Sequence, residues 1–229
     1  YWHPTEGNFS MWKSSQKKWL TFNPSSDIDW THHLENDPFI HSTISTGYLD
    51  CWWLDLNGSV GHWDGNEVSY LNYREIFSAT IIQISAVDSH ILFVNQDGSL
   101  WGKGSNQFGQ LGKPSTSLAS TTTPIEIIDS NVSYACVGRD NCSFFIKKDG
   151  SLWAMGKNHY GQLGDDTNIT RETPVMICSD GVRQVTTSGA ESLYLKKDGS
   201  LWGMGWLNSD IYSKTPFQIV DQNVTFLTG

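Results

Sequence analysis

The sequence predicts an all-β protein built from repeated four-stranded sheets, and three observations carry that reading. One phrase is written three times: Asp97-Gly98-Ser99-Leu100-Trp101, Asp149-Gly150-Ser151-Leu152-Trp153 and Asp198-Gly199-Ser200-Leu201-Trp202, the copies starting 52 and then 49 residues apart. A period of that size marks a stacked repeat architecture. Short β-prone runs flank every copy, broken by Gly and Pro. The chain also carries 11 Trp, 13% aromatic residues and 21 Gly in 229 residues, which suits wide side chains between sheets and many tight turns.

The clearest unit begins at Gly181. Val182 to Thr187 reads as a first strand, Gly189 breaks it, and Ser192 to Lys197 reads as a second. Asp198-Gly199 reads as a two-residue type I′ hairpin, which needs positive φ at both positions. Leu201 to Gly205 returns, and Thr215-Pro216 introduces a closing strand, Phe217 to Val220. Four short strands in about 45 residues make one blade of a β-propeller.

The two units before it follow the same order. Tyr134 to Gly138 precedes Phe144 to Lys148 and Asp149-Gly150; Ile82 to Ser85 precedes Ile91 to Val94 and Asp97-Gly98. Their closing strands are expected to begin at Thr123-Pro124 and Thr173-Pro174, since proline at a strand's first residue removes no ladder bond. The first eighty residues are degenerate. Ile44 to Gly47, Cys51 to Leu54, Asn57-Gly58 and Ser59-Val60 repeat the order, Pro38-Phe39-Ile40 resembles a closing strand, and Glu6-Gly7 with Ser10-Met11-Trp12 resembles the hairpin phrase.

The expected organisation is a single domain over residues 1–229, with clear repeats at 81–220 and degenerate blades at 1–80. Val224 to Gly229 reads as the first strand of another unit, and the sequence starts at Tyr1 just before a hairpin. The expectation is five blades closed by both termini, with Val224 to Phe226 pairing near Tyr1 to Trp12. Closure would remove exposed sheet edges. The alternative is a piece of a longer ring.

After each hairpin comes a second motif. It reads Gly104-Ser105-Asn106-Gln107-Phe108-Gly109-Gln110-Leu111-Gly112, then Gly156-Lys157-Asn158-His159-Tyr160-Gly161-Gln162-Leu163-Gly164. Hairpin, Gly-x-Asn-x-x-Gly-Gln-Leu-Gly and a later Thr-Pro strand together resemble the regulator-of-chromosome-condensation repeat. The resemblance covers Ile81 to Val220 and implies a β-propeller, usually of seven blades, so the alternative becomes a fragment of a seven-bladed ring. The family often places a His seven residues before the hairpin Asp; this chain has His90, then Cys142, then Glu191. The last unit has Trp206-Leu207-Asn208-Ser209 in place of Gly-Gln-Leu-Gly.

The repeated residues are expected to be structural. Gly109, Gly112, Gly161 and Gly164 would adopt backbone conformations closed to other residues. Leu111 and Leu163 would plug seams between blades, Gln110 and Gln162 would satisfy buried backbone groups, and Trp101, Trp153 and Trp202 would pack between sheets.

Composition narrows the function. The net charge is −9 with 15 Lys plus Arg; no basic stripe of the kind nucleic acid requires is visible, nor a basic cluster for anionic lipid. No apolar run is long enough to span a bilayer as a helix. The sequence starts at Tyr1 rather than Met, so the missing leader carries no information on compartment. Six Asn-x-Ser/Thr sequons, at Asn8, Asn57, Asn131, Asn141, Asn168 and Asn223, would be glycan acceptors in a eukaryotic secretory protein and point toward a secreted or cell-surface setting. In a bacterial protein they mean nothing, since Asn, Ser and Thr are common in turns. The four Cys (51, 136, 142 and 178) contain no Cys-x-x-Cys; Cys136 and Cys142 flank a turn and could bridge, with buried free thiols the preferred reading.

Motifs for catalysis are missing. There is no Gly-x-Ser-x-Gly elbow and no phosphate loop. His32-His33 with Glu35 and Asp37 lacks zinc-protease spacing, Asp165-Asp166-Thr167-Asn168 lacks the alternation of a calcium loop, and Asp27 with Asp29 is a weak candidate for paired glycosidase carboxylates. Neither catalytic residues, a metal nor a cofactor is expected.

The N-terminal aromatics, Tyr1 to Trp63, fill irregular blades in the preferred reading; in the other, some form a sugar-stacking or protein-binding surface. The sequence reads best as a non-enzymatic propeller that binds a protein partner through rim loops. A glycan-binding propeller is the alternative, and nucleotide exchange on a GTPase ranks third. Phe108, His159, Tyr160 and Trp206 occupy the same loop in successive units and are the candidate partner-binding residues.

Overall fold

The computed structural model describes residues 2–5, 8–13, 18–22, 44–46, 51–54, 60–63, 68–71, 80–87 and 89–227. Every regular element among them is a strand. Five antiparallel sheets form in chain order. The first holds β1 (Trp2–Thr5), β2 (Asn8–Lys13) and β3 (Lys18–Phe22). The second holds β4 (Ile44–Thr46), β5 (Cys51–Leu54), β6 (Val60–Trp63) and β7 (Val68–Leu71). In the third are β8 (Ile81–Val87), β9 (His90–Asn95), β10 (Leu100–Ser105) and β11 (Ser120–Ile128). The fourth comprises β12 (Val132–Gly138), β13 (Cys142–Lys147), β14 (Leu152–Gly156) and β15 (Arg171–Cys178). The fifth comprises β16 (Val182–Thr187), β17 (Glu191–Lys196), β18 (Leu201–Trp206) and β19 (Tyr212–Val220). Strands neighbour one another in sequence order within each sheet.

The sheets stack through their first strands: β4 lies against β8, β8 against β12, and β12 against β16. Alternation along the strands puts apolar residues into the seams. Leu92, Val94, Leu100 and Leu111 of the third sheet pack on Val132, Ala135, Val137 and Phe145 of the fourth. Phe144, Leu152, Ala154 and Leu163 pack on Val182, Val185, Tyr194 and Met204 of the fifth.

Backbone bonds sew the seams at one end. Val132 N–H donates to Gly98 O at 2.9 Å, and Val182 N–H to Gly150 O at 3.0 Å. Between sheets, the Gln83 amide accepts from Ala135 N–H at 2.8 Å and donates to Ala135 O at 2.7 Å. Each such bond satisfies a backbone group that the seam removes from water.

The hairpins differ from the expected two-residue turn. Gly98, Gly150 and Gly199 have φ of 88°, 86° and 85°, whereas the preceding Asp residues do not have positive φ. Asn95 N–H donates to Ser99 O, and Gly98 N–H to Asn95 O. That is a three-residue loop, a type I turn closed by a left-handed glycine bulge. The Asp carboxylate supplies the further order: Asp149 Oδ1 accepts from Ser151 N–H at 2.8 Å and from its hydroxyl at 2.7 Å. These bonds hold the Asp149 carboxyl below its usual pKa.

The closing strands also differ. They begin at Ser120, Arg171 and Tyr212, so Pro124, Pro174 and Pro216 lie inside them. The register slips there, between the partners of Gly102 and Gly104, of Ala154 and Gly156, and of Gly203 and Gly205. A bulge on an edge strand accommodates proline as well as a strand start does.

The expected pairing of the two ends is not made among the described residues. β1 pairs with β2, and residues 221–227 carry no strand. Val224 N–H instead donates to Gly199 O at 3.1 Å, and Leu227 N–H to Gln184 Oε1 at 3.2 Å. These bonds copy those of Val132 and Ala135, so the segment sits against the fifth sheet as a first strand sits against its predecessor. Cys136, Cys142 and Cys178 are free thiols, and no Cys136–Cys142 bridge is formed. Burial first, and each other's nearness second, push the Cys136 thiol up to about 12.

One seam carries a buried imidazole. His90 Nε2 lies 2.8 Å from Ser143 Oγ, and Nδ1 lies 3.0 Å from Ser89 Oγ. Ser143 gives its single proton to Gln110 O at 2.9 Å, which assigns the proton on His90 to Nε2. Burial lowers the His90 pKa to about 3. The unfolded chain therefore binds this proton below about pH 6.5 while the folded chain does not. Stability is expected to fall as pH drops from about 6.5 toward 4.5, by at most ~1.4 kcal/mol per pH unit for one proton. Urea denaturation across that range checks it: His90→Gln should flatten the slope, and an unchanged slope would contradict the assignment.

Candidate partner-binding face

The loop after the third strand of each sheet lies at the strand end opposite the hairpin. Its sequence builds a rigid frame. In the fourth sheet's loop, Asn158 Oδ1 accepts from Leu163 N–H at 3.0 Å and its Nδ2 donates to Thr167 O at 3.0 Å. Gln162 Oε1 accepts from Tyr160 N–H at 2.9 Å. Asn106 and Gln110 repeat these bonds to Leu111 and Phe108 one sheet earlier. Asn106, Gln110, Asn158 and Gln162 are fully buried, as are Leu111 and Leu163. Gly109, Gly112, Gly161 and Gly164 all have positive φ. At Gly109 a Cβ would lie 2.2 Å from Glu172 Cα, so the backbones of successive units meet there.

Trp101, Trp153 and Trp202 lie at the hairpin end, each donating its indole N–H to the Ser two residues before it, at 2.9–3.0 Å. Trp153 stacks on Phe145 at 6.2 Å and Trp202 on Tyr194 at 6.1 Å. Their outer faces carry Lys147 at 4.5 Å and Lys196 at 5.6 Å.

The frame leaves four side chains outside it, and the structure brings them together in two pairs. Phe108 meets His159 edge-on at 6.3 Å. Tyr160 meets Trp206 at 5.8 Å with ring planes at 45°. Tyr160 is 38% exposed and Trp206 49%. Both pairs bridge successive loops, which places all four on one rim. Lys157 caps Phe108 at 5.5 Å and is itself paired with Asp140 at 2.5 Å.

Three further exposed residues extend the patch. Tyr212 is the cross-strand partner of Trp206. Its hydroxyl accepts from Asn168 Nδ2 at 2.7 Å, and the same amide donates to His159 O at 3.0 Å. Ile169 and Ile211 stand exposed beside Asn168 and Tyr212. A clue existed in the sequence, because Ile211-Tyr212 follows the loop tip in the one unit of residues 81–220 that lacks Gly-Gln-Leu-Gly.

The other candidates separate plainly. Asp165 is salt-bridged to Arg171 and accepts from Asn158 Nδ2 and from the Thr167 hydroxyl; its oxygens are committed to the loop frame. Among the described residues no group of three or more metal-binding side chains gathers. Asp27, Asp29, His32, His33, Glu35 and Asp37 lie outside the described residues, as does the hairpin at Asn57-Gly58. No helix among the described residues is long and apolar enough to cross a membrane.

Four-stranded antiparallel sheets, stacked by their first strands and presenting loops at a rim, define a β-propeller repeat protein. Residues 81–110 and 149–192 each match the regulator of chromosome condensation (RCC1) repeat. The chain carries RCC1-like repeats. Among curated relatives it is 24% identical over 153 residues to the probable E3 ubiquitin-protein ligase HERC4 of Mus musculus, covering 61% of this chain and 14% of that protein. It is 28% identical over 131 residues to the ultraviolet-B receptor UVR8 of Arabidopsis thaliana, covering 56% and 29%. The chain therefore matches a minor part of each relative's length. Among solved structures, yeast RCC1 (Prp20) bound to Kap60 superposes with a TM-score of 0.67 at 18% identity, over 93% of this chain and 60% of that one. Human WBSCR16 superposes with a TM-score of 0.64 at 19% identity, over 78% and 52%.

Proposed function

We propose that this region is a non-enzymatic binding module that recognises a protein partner through the rim formed by Phe108, His159, Tyr160 and Trp206. The observation that carries the reading is the exposure of Tyr160 and Trp206 on top of a fully bonded frame. Exposed Trp and Tyr beside polar groups are the residues that dominate protein interfaces. The repeated residues are committed to turns and seams, so the variable loop positions carry recognition. Yeast Prp20 supports a protein partner in kind: one structure of it was solved bound to Kap60, and another was described with its binding to Gsp1p and histones. A propeller covering residues 1–229 as one domain remains part of this reading.

Tyr160→Ala and Trp206→Ala are each expected to reduce capture of the partner at least tenfold, since central aromatic anchors contribute about 2 kcal/mol or more. The unfolding free energy from urea denaturation should stay within about 0.5 kcal/mol of wild type. Affinity capture from the source organism's extract, with both variants beside wild type, measures this. A glycan array separates the alternative: saturable sugar binding lost in the same variants would overturn the protein-partner reading in favour of a lectin.

A further inference from the structure

Ammonium groups sit over four aromatic rings among the described residues. Lys147 sits over Trp153, Lys196 over Trp202, Lys103 over Trp52 and Lys157 over Phe108, all within 5.8 Å of the ring centroid. Among the described residues no such group lies over Trp206 or Tyr160, two exposed rings of the loop rim. Their neighbourhood is not basic. Asp166 and Asp210 are exposed on the loops that carry the patch. Lys214 lies on β19 with its backbone against Gly161, Arg171 is held by Asp165, and Lys157 is held by Asp140. The chain as a whole carries nine excess negative charges.

We propose that the Tyr160–Trp206–Tyr212 cluster seats a lysine or arginine side chain of the protein partner. This rests on the rim being the partner surface and adds the chemistry it selects. Ring faces carry negative electrostatic potential, and a cation within about 6 Å of a Trp or Tyr centroid is attracted to it. The Tyr160 and Trp206 rings are tilted at 45° with centroids 5.8 Å apart, so a single cation beside them can lie within about 6 Å of both centroids. Tyr212 is fixed by Asn168 through its hydroxyl, which leaves its ring as a wall. The acid excess draws a basic segment toward the surface at long range, and the rings select the site at short range.

The test uses the whole chain, with acetylated tetra-arginine amide and tetra-glutamate amide as probes. Tetra-arginine is expected to move the indole Nε1–H NMR signal of Trp206 saturably, and tetra-glutamate to leave it in place. Trp206→Leu should weaken tetra-arginine binding about three- to tenfold, while Trp206→Phe, which keeps a ring, should stay within about twofold of wild type. Equal affinity in the Leu and Phe variants would overturn the proposal, as would shifts scattered over acidic residues with Trp206 unmoved. Loss of partner capture in Trp206→Ala without any tetra-arginine contact would leave the rim as the partner surface and remove the cation from it. Tetra-arginine binding at Trp206 with undiminished partner capture would do the reverse.

Discussion

Truncating Phe144 to alanine is expected to lower the unfolding free energy by about 3–5 kcal/mol. Phe144 is fully buried and lies in the seam between the fourth and fifth sheets, against Val182, Val185 and Tyr194. The seam is made by strands from two units, so neither sheet can collapse alone into the space left by the ring. That is the condition under which a cavity persists and its cost approaches the upper end of the range. Urea denaturation measures the change. A loss below about 1 kcal/mol would mean that the seam repacks freely, contrary to a stack held by apolar contact between sheets.

Gly156→Val is expected to cost about 3 kcal/mol or more, from two effects at one position. Gly156 has φ of 102°, a conformation that side chains rarely adopt. A Cβ there would lie 2.3 Å from Asn141 O and 3.0 Å from Cys142 Cα, both backbone atoms of the paired strand. Backbone cannot rotate aside as a side chain does, so β14 would separate from β13 where the loop proposed to bind the partner begins. Gly104 and Gly205 stand at the same position in neighbouring sheets, with carbonyls at 2.5 and 2.3 Å. A melting temperature unchanged by Gly156→Val would contradict the close approach.

Much of this was legible from residue types alone. The third to fifth sheets follow the repeated phrase strand by strand, because Asp, Gly, Ser and Trp there serve one local structure: Asp149 bonds Ser151, and Ser151 accepts from Trp153. The turn type was harder to read, because type I′ and the three-residue glycine bulge both place Gly after Asp. They differ in the φ of Asp, which sequence does not display. Pro124, Pro174 and Pro216 satisfy the same rule in a bulge as at a strand start, and the structure chose the bulge. The sequons have a structural account as well. Asn131, Asn141 and Asn223 all have positive φ, a conformation Asn tolerates better than most residues, so the turns themselves call for Asn at these positions.

The candidate site was half legible. The shared loop position of Phe108, His159, Tyr160 and Trp206 follows from the repeat period. That they pair across successive loops depends on how far one sheet turns against the next, which no local pattern encodes. Tyr212 joins them through Asn168, 44 residues away in sequence, and Ile169 and Ile211 are the sequence neighbours of those two. Contacts of that range belong to the stacking of sheets.

The central claim is that the partner lies on the loop rim, at the strand ends opposite the hairpins. Hydrogen–deuterium exchange of the chain with and without its captured partner tests it most directly. Protection is predicted at residues 157–170 and 206–212, with the hairpins at 97–99, 149–151 and 198–200 exchanging as in the free chain. Protection confined to those hairpins, with the aromatic rim unchanged, would contradict it.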